Sequence, residues 1–498
     1  MNKSKSRRTI FIYEKFKAVL LVCLIILCIV QIGILWSNQS HSSPISLFLN
    51  SSSKSNSPVS IDDSKGDFLL PYRIAISTGF DGEHYVIPNG SKDYNTLWDG
   101  AKQYIDQALE SKPQNIQPFN EDYWGTLVAN KPYVFEFKTQ IPIEIIKWTL
   151  NLEDNKGDGL SSIYKIVVCP DDSDNSYADT LYIRDDKNIY TYGIKNVKNN
   201  SLNYSVFNEV YSAQKSNASY QMAIEKYRKF EISKDLMSVF SGKKLESYPD
   251  ITCEAINGLN EKEYTYDDFN DMAQDLFGNA RIDYDFDVDV NGSVVFKKSD
   301  GVYRLYKNSI LEYNKYTPNK TNTEELNVLE SYKKALSYLL ENKSQNDMMS
   351  NITLYLNSFK EIQNQGAYIF NFDYSISLGE EKGEIPILLK DYKIPIIESP
   401  LNNSISIEAS SKNVLSFKWL ALKFYVNNNI ENYEWSFVDM YSKLYDKYSE
   451  LKNEFSAKDF GMYYVVNKPE MQEYNITPSF VLFTKDGAYD ILMEANNK

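Results

Sequence analysis

The hydrophobic pattern begins with one long uninterrupted run. Residues 18–36, AVLLVCLIILCIVQIGILW, carry no charge, and Gln31 is the one strong hydrogen-bonding side chain among them. As a helix, this run rises about 28 Å, close to the ~30 Å hydrocarbon core of a bilayer. At a few tenths of a kcal/mol per Leu, Ile or Val, its insertion is favourable by about 5 kcal/mol. Lys3, Lys5, Arg7, Arg8, Lys15 and Lys17 precede it against Glu14 alone, and the next cation is Lys54. That asymmetry keeps the N-terminus cytoplasmic and puts everything after Trp36 outside. Phe11, Tyr13 and Phe16 suit the inner interface and Trp36 the outer one. The competing reading is a cleaved signal peptide, whose apolar region runs about 7–15 residues and ends in an A-x-A-like site. This run is longer and ends LWSNQS. The pattern predicts a single-pass cell-membrane protein with a retained anchor and the bulk of its chain extracytoplasmic.

After a Ser- and Asn-rich arm, the pattern alternates between short strands and amphipathic helices. FLLPYRIAIS, YVFEF (133–137), IYKIVVC (163–169) and TLYIR (180–184) read as strands. Leu97, Ala101, Tyr104, Ile105, Ala108 and Leu109 fall at helical spacing. Residues 204–240 read as largely helical, with Met222, Ile224, Tyr227 and Phe230 as core positions. Thr265 and Asp268 form a capping-box pattern before Phe269, Met272, Leu276 and Phe277. Asn-Gly (291–292) and Asp-Gly (300–301) then separate short alternating runs, the signature of hairpins. A helical face follows at Leu329, Tyr332, Leu336, Leu339 and Leu340. The last segment has SISIEAS and VLSFKWLALKFYV as strands, a capping box at Ser436 and Asp439, a stripe at Phe437, Met440, Leu444, Tyr448 and Leu451, and strands MYYVV and SFVLFT.

The expected fold class is α+β: a transmembrane helix followed by domains of antiparallel sheet plus helix. The expected division is a cytoplasmic tail (1–17), the anchor (18–36), the arm (37–66), a first outer domain (67–250), and two further units (251–378 and 379–498). An offset of 112 residues lays Tyr313 on Tyr425 and AYIFNF (367–372) on SFVLFT (479–484). Identity across it is negligible, so the expectation of two repeated strand–strand–helix–strand–strand units, about 280–378 and 404–492, rests on element order.

Charge narrows the partners. The chain carries −14 overall, and without the tail 47 cations face 66 acids, a balance of −19 outside the membrane. Such a surface repels nucleic acid. Tyr 39 and Phe 25 in 498 residues mark a folded chain. Cys169 and Cys253 lie outside the anchor and read either as one bridge or as buried free thiols.

The chemical census is thin. His41 sits in the arm and His84 in a turn-rich loop, FDGEHYVIPNG. Two histidines leave no His-rich zinc site, and no nucleophile-elbow, Walker A or dinucleotide motif occurs. Asp287-Val-Asp-Val-Asn-Gly opens like a calcium loop, but Lys298 stands where the bidentate Glu belongs. The plainer reading sets Asp283, Asp285, Asp287 and Asp289 on the wet face of a strand, with Tyr284, Phe286, Val288 and Val290 buried. Residues 154–159 resemble a second loop spoiled by Lys156 and Lys165, and Asp171, Asp172 and Asp174 read as a solvated acidic loop. Ser-x-x-Lys recurs at Ser162, Ser241 and Ser331 without the motifs that accompany an acyl-transfer site. No catalytic residue, cofactor or metal is expected.

The layout resembles the YycH family. The points of resemblance are the basic tail and the helix ending QIGILW, then LFGNARIDYDFDVDVNGSVVFKKSDGVYRLYKNSILEYNKY (276–316) and the closing ITPSFVLFTKDG (476–487). Phe480 departs from the family pattern, where Trp is expected. The resemblance implies a non-enzymatic accessory protein that tunes a cell-wall-regulating sensor histidine kinase, WalK, together with the related protein YycI. The alternative is an anchored cell-envelope hydrolase or wall-binding protein. Within the anchor, Cys28 and Gln31 share a face and Gly33 permits close helix approach, a candidate surface for a partner helix in the lipid bilayer. Gln31 reaching headgroup water is the competing reading.

Overall fold

The computed structural model describes residues 61–494, apart from internal stretches of which the longest are 78–83, 153–158, 171–177, 195–201, 216–229, 233–243, 278–284 and 317–325. Among the described residues no helix is long and apolar enough to cross a membrane, and the run 18–36 with Cys28, Gln31 and Gly33 lies outside them. Val59–Lys498 form one compact unit.

The chain enters through a helical turn, Ile61–Ser64, and a tight turn, Lys65–Phe68. Seven strands follow: β1 (Arg73–Ser77), β2 (His84–Ile87), β3 (Asn115–Pro118), β4 (Tyr133–Pro142), β5 (Ser162–Val168), β6 (Thr180–Arg184) and β7 (Asn188–Gly193). They form one sheet in the order β2-β1-β4-β5-β6-β7-β3, with every pairing antiparallel. Helix α1 (Lys92–Leu109) is capped by Ser91, whose Oγ accepts the Tyr94 N–H. It buries Tyr94, Leu97, Trp98, Ala101, Tyr104, Ile105 and Ala108, a stripe at helical spacing. Trp98 packs 6.0 Å from Phe135 and 5.8 Å from Phe137, so α1 covers the β4 face that those rings occupy. Helix α2 (Glu121–Val128) covers part of the other face, with Trp124 and Val128 against Ala75, Val134 and Val167. Helix α3 (Ile143–Leu150) follows β4 directly, and α4 (Tyr204–Lys215) closes this half.

The expected helix over 204–240 is corrected beyond Lys215. Phe230–Ile232 is a strand, β8, paired in parallel with Phe455–Ala457, while Met222, Ile224 and Tyr227 lie outside the described residues.

The second half is mostly sheet. After β9 (Lys244–Glu254) and α5 (Tyr266–Phe277) come β10 (Asp285–Val288), β11 (Val294–Lys297), β12 (Gly301–Leu305) and β13 (Ile310–Lys315). Helix α6 (Val328–Gln345) leads to β14 (Ile352–Ile362), β15 (Ala367–Ser377), β16 (Glu384–Leu389), and the short β17 (Lys393–Ile394) and β18 (Ser399–Pro400). Then come β19 (Ile405–Ser410), β20 (Val414–Leu420), β21 (Lys423–Trp435), helix α7 (Phe437–Lys447), β22 (Phe455–Ala457), β23 (Asp459–Val466), β24 (Glu473–Ile476), β25 (Pro478–Phe483) and β26 (Ala488–Leu492). A twelve-stranded sheet runs β10-β11-β12-β13-β20-β19-β15-β16-β23-β25-β26, with β14 also on β15. Its one parallel pair is β16 with β23.

Both capping boxes are present. The Thr265 N–H donates to Asp268 Oδ2 at 2.6 Å, and the Asp439 N–H donates to Ser436 Oγ at 3.1 Å. Both turn dipeptides close hairpins, and Gly292 takes φ +75°. The expected single strand VLSFKWLALKFYV is instead two. The chain breaks at buried Ala421 and Leu422, where the Ala421 N–H donates to the Ser309 carbonyl, so β20 joins the large sheet while β21 pairs with β9.

One apolar cluster runs from Phe68 to Ile476 and joins the halves. Trp148 of α3 meets Tyr332 of α6 edge-on at 6.3 Å, and the Tyr332 hydroxyl donates to the Phe68 carbonyl.

Candidate functional site

The face of the first sheet that α2 leaves open is polar, and it closes on the second sheet. Four strands each place one charge on it. Arg73 stands opposite Glu136 in register, Glu136 opposite Lys165, and Lys165 opposite Arg184. Directly opposed residues share a face, so the four line up across the strands. Glu136 is fully buried; its Oε2 accepts from Arg73 Nη1 at 3.3 Å and its Oε1 from Lys165 Nζ at 2.8 Å. Arg73 Nη2 reaches across to Asp459 on β23. Two residues along β4 from Glu136, Lys138 Nζ meets Asp373 Oδ2 of β15 at 3.1 Å, and Asn403 Nδ2 donates to Asp373 Oδ1 at 2.9 Å. These two ion pairs tie the first sheet to the second across a buried seam.

Alternation explains why both sheets present polar atoms here. Glu136 and Lys138, Asp373 and Ser375, and Asp459 and Tyr463 are each separated by an even number of residues and so share a strand face. Their odd-numbered offsets, such as Phe135, Phe137 and Phe372, turn to the apolar layers. Burial works against the charges of Arg73 and Lys138, but their neighbours outweigh it. Asp459, Tyr72 and Glu136 hold Arg73 above its usual pKa, and Asp373 does the same for Lys138. Burial raises the Tyr72 phenol well above its usual value, and that of Tyr463 to about 12. All of these stay in their ordinary protonation state at neutral pH.

The seam encloses a cavity of about 240 Å³ lined by residues of both halves, among them Tyr72, Lys138, Asp373, Glu384, Trp435 and Tyr463. A second space of about 340 Å³ also borders the Lys138–Asp373 pair. Glu384, at the start of β16, accepts from Thr353 Oγ1 at 2.7 Å and from the Tyr355 hydroxyl at 2.8 Å.

The other sequence candidates disperse. His84 opens strand β2 opposite Ser77, where a turn was expected. Asp289 caps a turn: its Oδ1 accepts the N–H groups of Asn291 and Ser293, and its Oδ2 pairs with Arg304 at 3.2 Å. The expected burial of Val288 and Val290 is overturned, since they are 38% and 102% exposed. β10 is the edge strand, only Phe286 is reached by a ring of α5 (Phe269, 5.1 Å), and Val290 already lies in the turn. Asp283, Tyr284, the loop 153–158 and the acidic loop at 171–174 lie outside the described residues. Ser162 and Lys165 point to opposite faces of β5. Cys169 and Cys253 are free thiols; burial raises the pKa of both, that of Cys169 to about 12. Among the described residues no group of three His, Cys, Asp or Glu side chains is placed to hold a metal ion.

Of the seam residues the sequence reading noted Lys165 alone, as the cation of a spoiled loop and of a Ser-x-x-Lys pattern, and not as a partner of Glu136. Their signal was there: YRIAIS, YVFEFK, IYKIVVC and TLYIR each carry a charge inside an otherwise apolar strand.

Residues 14–219 match the family model described as "YycH protein, N-terminal domain". The fold matches the crystal structure of YycH from Bacillus subtilis over 85% of this chain and 96% of that one, with a TM-score of 0.52 and 13% identity. Residues 14–219 are thus similar to the N-terminal domain of the YycH family, and the fold beyond them follows the same architecture. At that identity the structural match speaks to the fold, a mixed α+β architecture with antiparallel sheets. An uncharacterized protein from Eubacterium rectale aligns over 51% of this chain and 86% of its own at a TM-score of 0.27 and 11% identity, too distant to carry an argument. A class 1 fructose-1,6-bisphosphatase from Chlorobium luteolum is 38% identical over 69 residues, 14% of this chain. The chain spans 20% of that enzyme's length, and the overlap transfers no chemistry.

Proposed function

We propose that this protein is a membrane-anchored, non-enzymatic regulator of a WalK-like sensor histidine kinase, acting with a YycI-like partner. The observation that carries the reading is the match of residues 14–219 to the N-terminal domain of the YycH family, a stretch that takes in the apolar run. In this reading 1–17 is cytoplasmic, 18–36 spans the bilayer and 37–66 is an arm to the extracytoplasmic region. The charge flank of the run and its length support that orientation. The hydrolase alternative asks for two carboxylates facing an open cleft. The seam offers little to favour it, because Glu136, Asp459 and Asp373 are each engaged by a cation.

Within the outer region we also propose domains at 67–250, 251–378 and 379–498, the last two as repeats of one unit. Element order supports the repeat. Helix α6 packs on β15 and β19, and helix α7 on β26. At the offset of 112 residues β25 corresponds to β15.

The partner-helix face is proposed at Cys28, Gln31 and Gly33. In lipid, helix association relies on close packing and on polar side chains, and one such hydrogen bond contributes about 0.6–2 kcal/mol. The test is co-purification of the kinase from detergent with a tagged full chain. Wild type is expected to retain it, and Gln31→Leu to lower the yield several-fold at unchanged membrane localisation. Absence of the kinase from the wild-type eluate overturns the regulatory reading. Unchanged co-purification with Gln31→Leu removes this helix face from it.

A further inference from the structure

Two irregular strands meet at the second space of the seam, the one of about 340 Å³. In the β4–β5 pair the register jumps between Glu136 and Ile141, so residues 137–140 face Tyr164 alone, and Lys138 sits in that bulge. In the β14–β15 pair it jumps between Leu356 and Ser358, and Asn357 is the extra residue. Lys138 and Asn357 line the same space. A bulge bends its strand out of the ladder, and bulges are over-represented beside active sites. We infer that this space binds an N-acylated amino acid through its carboxylate, its amide and an apolar side chain.

The wall holds more donors than its own acceptors use. Lys138 has three N–H donors and gives one to Asp373. Among the described residues the Tyr463 hydroxyl and the side-chain polar atoms of Asn357, Asn402 and Lys458 have no partner, and all four residues line this space. Lys138 and Tyr463 are close enough for the lysine charge to act on the phenol. The acceptors are mostly spent. Asp373 accepts at both oxygens, from Lys138 and from Asn403. Asp459 accepts at Oδ1 from Arg73 and from the Phe460 N–H, which leaves its Oδ2 for one further donor.

Charge then sets the class. The ion-paired groups balance, with Arg73, Lys138 and Lys165 against Glu136, Asp373 and Asp459. Lys458 is the charge left over, so a single carboxylate evens the count and a dianion overshoots it. A free amino acid brings an ammonium that restores the excess, and acylation removes it. The amide N–H that remains suits Asp459 Oδ2, and the acyl carbonyl suits the asparagine amides. Ile387, Leu389 and Phe483 complete the wall and receive the apolar side chain. The volume of about 340 Å³ equals roughly eleven waters at about 30 Å³ each, close to the dozen or so non-hydrogen atoms of N-acetyl-leucine.

The inference goes beyond the kinase reading and stands apart from it, since binding is measured on the chain alone. The full chain in lipid nanodiscs is titrated calorimetrically with N-acetyl-leucine, N-acetyl-leucinamide, free leucine and isocaproate. Saturable binding of N-acetyl-leucine is expected, at least about tenfold tighter than any of the other three. The amide lacks the charge, leucine carries an ammonium, and isocaproate lacks the N–H. The double variant Lys458→Met, Tyr463→Phe removes one exposed charge and one unpartnered hydroxyl, so no ion pair of the fold is broken. It is expected to weaken binding about tenfold or more at unchanged circular dichroism. Lys458 borders this space and not the first cavity, which ties the loss to this site. Absence of binding up to roughly 10 mM overturns the inference. So does equal affinity for any of the other three compounds, or full affinity in the double variant.

Discussion

Replacing Glu136 with Gln keeps the shape of the seam and removes the charge at its centre. The wild-type carboxylate is 0% exposed and lies between Arg73 and Lys165, whose side chains are 9% and 6% exposed. The variant leaves two buried cations facing a neutral amide across adjacent strands. Taking away one partner of a buried pair costs about 3–5 kcal/mol, against about 0.2–1 kcal/mol for an exposed pair. Only the first range applies at these exposures. The measurement is urea unfolding of the full chain in detergent, followed by tryptophan fluorescence. The expected loss is about 3–5 kcal/mol, and adding Lys165→Met recovers part of it, with a coupling of about 0.5–3 kcal/mol. A loss under about 1 kcal/mol for Glu136→Gln refutes the claim that charge holds this face together.

Three further outcomes follow from single sites. Asp490 is nearly buried; burial opposes its charge, but Lys390, Lys447 and Tyr448 together hold its pKa below the usual value. Its stabilising contribution is therefore complete above the unfolded value of about 3.9 and is lost as pH falls through the lower folded value. Asp490→Asn is expected to be less stable than wild type at pH 7 and equal to it in stronger acid, and a constant difference across that window is the contrary result. Ser436→Ala removes the hydroxyl that caps α7 and is expected to cost about 1 kcal/mol in the same unfolding assay, with no measurable loss counting against the cap. His84→Ala is expected to leave signalling through the kinase intact; a large loss in a folded variant would point to imidazole chemistry.

Local signals carried much of the fold. Capping boxes at Thr265 and Ser436, turn dipeptides at 291–292 and 300–301, and the stripe from Leu97 to Leu109 each depend on residues within one or two turns of one another. The misreadings arose where distant chain decides. Phe230–Ile232 is a strand because Phe455–Ala457, more than two hundred residues later, supplies its pairing edge. The break at Ala421 is set by the Ser309 carbonyl. Val288 and Val290 alternate correctly for a buried face, but β10 is the edge strand. The seam was hidden for the same reason. A charge inside an apolar strand announces that something pairs with it, but Asp459 cannot be assigned to Arg73 across 386 positions by periodicity.

The buried charges are better understood as setting register than as adding stability. A well-packed apolar replacement of a buried ion network is often as stable or more so, while a mismatched charge costs several kcal/mol. Two apolar sheet faces can pack with several offsets at similar energy. Here two ion pairs cross between the sheets, Arg73 with Asp459 and Lys138 with Asp373. An offset of one residue moves one sheet about 3.3 Å past the other, and neither pair survives it. Two fixed points also remove the freedom to rotate about either one. The same contacts that exclude other dockings therefore fix the distance between β4 and β15, and with it the width of the cavity. A cavity whose walls are held apart in this way has little ordering cost left to meet on occupancy.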